Sequence, residues 1–157
     1  MIQASAARLA SHRRSANLGP VTLAEKQRQL VTDYSIIDDA QERLAAVVDH
    51  ARRQPPLAAA ERIEANRVKG CVSLAWVVGE TRAGRCYFRG DADSPLVRGL
   101  LLLLCGFYSG AAPADVAATE PTLLEELGLA RNLSPTRLNG LRSVRAKIRE
   151  FAVTAAV

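Results

Sequence analysis

A chain of 157 residues with 48% hydrophobic and 24% charged side chains can close one core without disulfide or metal staples, as an ordinary globular domain does. The formal charge of +5 invites an acidic partner. Yet Arg and Lys are interleaved with Glu and Asp, with no dense basic block, no base-stacking aromatic motif and no zinc-finger spacing, so nucleic acid is not an expected partner. Aromatics at 4% leave the core to Leu, Val, Ile and Ala, which favours helices over a β-sandwich.

Residues 1–24 carry Arg8, Arg13 and Arg14, serines and alanines, and no Asp or Glu. Such a stretch is either a basic tail or an organellar transit segment. Gly19-Pro20 interrupts what precedes, so the domain is drawn over 25–157. Ser35 is expected to cap a helix with Asp38, Asp39 and Glu42 near its positive end. Ile37, Ala40, Leu44, Val47, Val48 and Ala51 form its apolar face, and Pro55-Pro56 stops it. Residues 57–65 are expected to be irregular or a single turn.

The run 72–78 is apolar on both faces, as in a strand covered on both sides. A turn over 80–84 and a strand over 85–89 complete an antiparallel hairpin, with Cys86 and Phe88 on one side and Tyr87 on the other. A short strand around Arg67-Val68 leads in. Arg89-Gly90-Asp91 matches a cell-adhesion tripeptide by chance. Asp93 or Ser94 caps a long helix with Pro95 in its first turn and Gly110 past its end. Residues 100–108, the most apolar stretch, are too short to cross a bilayer, which needs about 20 residues. Shorter helices are expected from Pro113 and over 119–127. A last one, capped by Ser134, runs from Pro135 to Phe151, with Gly140 inside it as a point of close packing.

Three cysteines, 71, 86 and 105, make an odd and widely spaced set without Cys-x-x-Cys, and His12 and His50 lie far from them. Neither a disulfide framework nor a zinc site fits, and free thiols belong in a reducing compartment. Cys86 and Cys105 fall inside apolar elements and are expected to be structural. Cys71 differs, because Arg67 and Lys69 precede it and Gly70 adjoins it. A free thiol titrates near about 8.5, so only a few per cent is thiolate at neutral pH. Lys69 and Arg67 are local cations that favour the thiolate, and Gly70 eases a tight turn and a partner's approach. From these residues alone two readings stand equal: a reactive nucleophile, or a small hydrophobe starting a strand.

Several blocks in order carry a resemblance. They are Arg67-Val68-Lys69-Gly70-Cys71-Val72-Ser73, Asp93-Ser94 with Leu96-Val97-Arg98-Gly99-Leu100-Leu101, Tyr108-Ser109-Gly110, Leu127-Gly128-Leu129, and Leu133-Ser134-Pro135-Thr136-Arg137-Leu138-Asn139-Gly140-Leu141. Together, over about residues 30–151, the sequence resembles the SufE-like family, which includes the CsdE type. Its members accept sulfur from cysteine desulfurases. The resemblance implies an α+β fold in which a small antiparallel sheet of about three strands packs on helices, as in iron–sulfur scaffold proteins. It implies that Cys71 is the acceptor on an exposed loop. It also implies that Arg137 faces the cysteine region, where it either stabilises a thiolate or persulfide anion or anchors the helix start. Where the family usually reads Ser-Gln-Val-Trp, this chain has Ser73-Leu74-Ala75-Trp76, so no polar contact is expected from position 74.

The implied partners are a pyridoxal phosphate-dependent cysteine desulfurase and an iron–sulfur scaffold complex. The pyridoxal chemistry belongs to the partner, so no cofactor or metal is expected here. The resemblance implies a cytoplasmic carrier, organellar if residues 1–24 are an address, and a monomer or homodimer without a membrane segment. The competing classes are a cysteine hydrolase, for which His12 and His50 are poor bases, and a basic module docking nucleic acid.

Overall fold

The computed structural model describes residues 20–157. Two helices lead. Helix α1 (Leu23–Ser35) opens on a capping box, in which Thr22 Oγ1 accepts from Glu25 N–H at 3.2 Å while Thr22 N–H donates to the Glu25 carboxylate at 3.0 Å. Helix α2 (Ala40–Arg52) is capped by Asp39, not by Ser35. Ser35 is instead the last residue of α1, and Ile37 lies in the link. The α1 stretch offers only a narrow apolar stripe of Leu23, Leu30, Val31 and Tyr34 against the core, which is why its periodicity is faint in the sequence. Beyond α2, residues 57–65 run through two single 3-10 turns, Ala59–Glu61 and Glu64–Asn66.

The sheet has two antiparallel strands, β1 (Ala75–Arg82) and β2 (Arg85–Ala92), with Ala75 opposite Ala92 and Arg82 opposite Arg85. The expected third strand is reduced to one bridge, Arg67 to Trp76, because the chain turns away at Lys69-Gly70. The hairpin turn is also tighter than the expected 80–84. Ala83 and Gly84 alone make it, with φ of 50° and 74°, the left-handed pair that a two-residue hairpin turn requires. Consequently 72–74 leave the sheet and β2 runs on through Ala92.

Helix α3 (Pro95–Tyr108), capped by Ser94 and nearly all apolar, is the core element. It packs on the sheet face that carries Ala75, Val77, Cys86, Phe88 and Gly90, and a Cβ on Gly90 would run into Leu101 Cδ2. The opposite face, with Trp76 and Asp91, is covered by the 57–62 segment. Thus Asp91 of the adhesion-like tripeptide is buried, and Arg89 is held by Glu61 at 2.8 Å. Short helices α4 (Pro113–Ala118) and α5 (Leu123–Glu126) precede α6 (Pro135–Ala155); α5 covers less than the expected 119–127. From α6, Phe151 lies edge-on to Phe88, their ring centroids 5.5 Å apart, in the space left by Gly79. Arg145 donates to the Ala117 and Thr119 carbonyls that end α4. The protein is therefore α+β, and no helix among the described residues is long and apolar enough to cross a membrane.

Candidate functional site

Cys71 lies in the loop 69–74, whose two ends are joined. Val68 N–H donates to the Ala75 carbonyl at 2.8 Å, next to the Arg67–Trp76 bridge, and Asp93 N–H donates to the Leu74 carbonyl at 3.0 Å. Gly70 turns the chain with φ +85°, a left-handed value that an L side chain resists. The glycine is required a second time by contact, since a Cβ there would come within 2.9 Å of Ser143 Oγ.

The loop leans on α6. A Cβ on Gly140 would lie 3.0 Å from Cys71 Sγ, so the sulfur rests directly over the bare helix backbone. Ser143 Oγ donates to the Asn139 carbonyl at 3.2 Å, and Lys147 Nζ donates to the Ala65 carbonyl at 2.9 Å, tying the approach to the loop onto the same helix. Cys71 is half-buried and packs against the core. Its neighbours face outward: Val72 is 85% exposed and Leu74 39%. Cys71 is therefore not the start of a strand but a loop residue, and its thiol is partly covered rather than projecting.

The flanking charges are placed as follows. Lys69 is exposed in the turn itself. Arg67 is half-buried, with its guanidinium 3.8 Å from the Glu64 carboxylate, so part of its charge is already matched. Arg137 is exposed near the start of α6, and its N–H donates to the Ser134 cap at 3.3 Å. It stands one turn before Gly140, on the same side of the helix. Among the described residues no hydrogen bond joins Lys69, Arg67 or Arg137 to the thiol. What the structure gathers at the loop is Gly140 beneath the sulfur and Ser143 beneath Gly70. Gly140 is legible in the sequence as a tight packing point, because glycine inside a strong helical pattern needs a reason. Ser143 carries no such signal.

The other thiols lie elsewhere. Cys86 and Cys105 are both free and buried. Burial raises the Cys86 pKa and pushes that of Cys105 up to about 12, so both stay protonated and inert at neutral pH. His50 is exposed on α2 and borders a cavity between α1, α2 and α3 rather than the Cys71 loop, while His12 lies outside the described residues. Among the described residues no group of His, Cys, Asp and Glu converges to hold a metal ion. The candidate site is thus one half-covered thiol on a clamped loop, with no side chain among the described residues placed as its base.

A small α+β domain presenting a single loop thiol is the class that this fold and site define. The family described as SufE, the Fe-S metabolism associated domain, matches residues 28–152. An uncharacterized SufE-like protein of Rhizobium etli is 36% identical over 129 residues, covering 79% of this chain and 87% of that protein. A second, from Synechocystis, is 28% identical over 123 residues, covering 78% and 77%. A chloroplastic quinolinate synthase of rice is 38% identical over 101 residues, which are 64% of this chain but 14% of that protein. A solution structure of a hypothetical protein from Thermus thermophilus superposes with a TM-score of 0.69 at 21% identity, covering 83% of this chain and 96% of that one. The chain belongs to the SufE family and is associated with iron–sulfur metabolism.

Proposed function

We propose that this protein is a sulfur acceptor and carrier, which takes sulfur from a cysteine desulfurase onto Cys71, stimulates that enzyme by clearing its product, and passes the sulfur to an iron–sulfur scaffold. The observation that carries the proposal is the contrast among the thiols. In a chain of the SufE family, Cys86 and Cys105 are sealed in the core, while Cys71 alone sits on a surface loop.

The step balances as thiol exchange. The donor is a desulfurase cysteine persulfide. Cys71 loses its proton, its sulfur attacks the terminal sulfane sulfur, and a new sulfur–sulfur bond forms as the donor's breaks; the donor cysteine leaves as thiolate and takes up a proton. No external oxidant or reductant is needed. The partner supplies pyridoxal phosphate chemistry, so the carrier uses no cofactor of its own. Lys69 and Arg67 favour the attacking thiolate electrostatically, Gly70 makes the turn that carries the thiol, and Arg137, one turn along α6, offers its guanidinium to the persulfide anion. Val72 and Leu74 give the partner an apolar handle beside the sulfur. The acceptor domain, drawn over 25–157 from the sequence, also takes in the start of α1 at Leu23, with what precedes it as a basic tail, working in the reducing cytoplasm.

The test is to incubate the protein with a desulfurase and cysteine and to weigh it intact under non-reducing conditions. One added sulfur is expected on the wild type and none on Cys71→Ser. Equal labelling of the Cys71→Ser variant, through Cys86 or Cys105, overturns the assignment.

A further inference from the structure

We infer that Gly140 is a positioning residue for Cys71, its missing side chain forming the seat that holds the resting thiol half-covered against α6. The consequence for sulfur transfer rests on the reading of Cys71 as acceptor, but the seat itself is a matter of packing. Glycine is the poorest helix former after proline, yet Gly140 is buried inside α6. The contact explains its presence. A Cβ there would lie 3.0 Å from Cys71 Sγ and 3.8 Å from Cys71 Cβ, the first tighter than an ordinary non-bonded separation, so that the sulfur must give by a few tenths of an ångström. The same stripe of α6 engages the loop again further along. Ser143 fills the space beneath Gly70, and Lys147 holds the Ala65 carbonyl; positions 140, 143 and 147 share one face of a helix. The loop is thus fitted to α6 at the cysteine, at the turn and at its approach.

A side chain at position 140 therefore unseats Cys71, slightly for alanine and more for a larger residue, while leaving the clamp between Val68 and Ala75 intact. The resting thiol should become more reactive, because the covered arrangement loses its fit. Gly106 of α3 supplies the control, being a helical glycine whose Cβ position has nothing within 4 Å.

The experiment is the rate at which iodoacetamide alkylates Cys71 in the full chain, followed by intact mass and peptide mapping, with no desulfurase present. Gly140→Ala should raise the rate several-fold and Gly140→Leu about tenfold or more, as expected when a packed arrangement is overfilled. Gly106→Ala should leave it unchanged. Cys86 and Cys105 report folding in the same spectra, since they label only if the core opens; should Gly140→Leu fail that check, the Ala variant decides. Alkylation of Gly140→Ala at the wild-type rate, with the melting temperature raised as for any helical glycine replaced by alanine, overturns the inference. The readout needs no sulfur donor, so wild-type protein that acquires no sulfur from a desulfurase would sink the carrier reading and leave the seat standing.

Discussion

Asp91 is 2% exposed, and each of its carboxylate oxygens accepts two hydrogen bonds. One takes Ala92 N–H at 2.9 Å and Arg98 Nε at 2.8 Å; the other takes Leu57 N–H at 3.0 Å and Arg62 Nη2 at 2.5 Å. Arg98 continues to the carbonyls of Ala51 and Gln54, and Arg62 lies over the Trp76 ring at 5.3 Å. One side chain thus gathers the end of α2, the 57–62 segment, β2 and α3. Burial alone would raise the Asp91 pKa, but the Leu57 amide, Arg98, the Ala92 amide and Arg62 hold it below the usual carboxylate range. Its stabilising contribution is therefore present above the unfolded value near 4 and is lost as pH falls through the lower folded value. Asp91→Ala should cost about 3–5 kcal/mol, since it leaves the largely buried Arg98 guanidinium and the partly exposed Arg62 without their carboxylate. Urea denaturation at pH 7 should show that loss, and the variant's stability should fall less steeply than the wild type's below about pH 4.

At the scale of the element, the hairpin turn is the strained point. Ala83 has φ of 50°, a conformation costing an L residue about 1–2 kcal/mol that glycine avoids and asparagine tolerates. Ala83→Asn should raise stability by up to about 1 kcal/mol, measured by thermal unfolding, and should leave Cys71 alkylation unchanged because the turn is at the far end of β1. The same hairpin shows why part of the fold is hard to read from sequence. The helices α2, α3 and α6 announce themselves through caps, prolines and long apolar stripes. The register of β1 does not, because 72–74 are as apolar as the strand that follows. The register pairs Ala75 with Ala92, so 72–74 would face the cap and start of α3 and find no strand to pair with. The N-cap of α2 is ambiguous for a related reason. Ser35 and Asp39 are both good caps, and what decides for Asp39 is that α1 runs through Ser35 to bury Leu30, Val31 and Tyr34. At the site, Cys71 and its basic flank are legible as local sequence, and Gly140 as a packing point, but that Gly140 meets Cys71 and Ser143 meets Gly70 is decided only in three dimensions.

For the whole molecule, burying two thiols and a phenol makes stability sensitive to alkali. The Cys105 pKa is raised by burial from 9.0 to about 12, and Cys86 and Tyr108 are raised in the same direction, chiefly by burial. For an acid whose folded pKa lies above its unfolded one, stability is complete below the unfolded value and declines as pH rises toward the folded value. Between about pH 9 and 12, Cys105 alone should remove about 1.4 kcal/mol per pH unit. Denaturation midpoints across that range should fall more gently for Cys105→Ala than for the wild type.

The joined ends of the 69–74 loop bear on how the carrier proposed above would change hands. Because Val68 and Ala75 are bonded to each other, the tip is a short side branch on a root held independently of it. On that proposal, a visiting protein would need to displace the branch only, not the body that bears it. Successive visitors can do so in turn, and the body need keep no trace of which one called last.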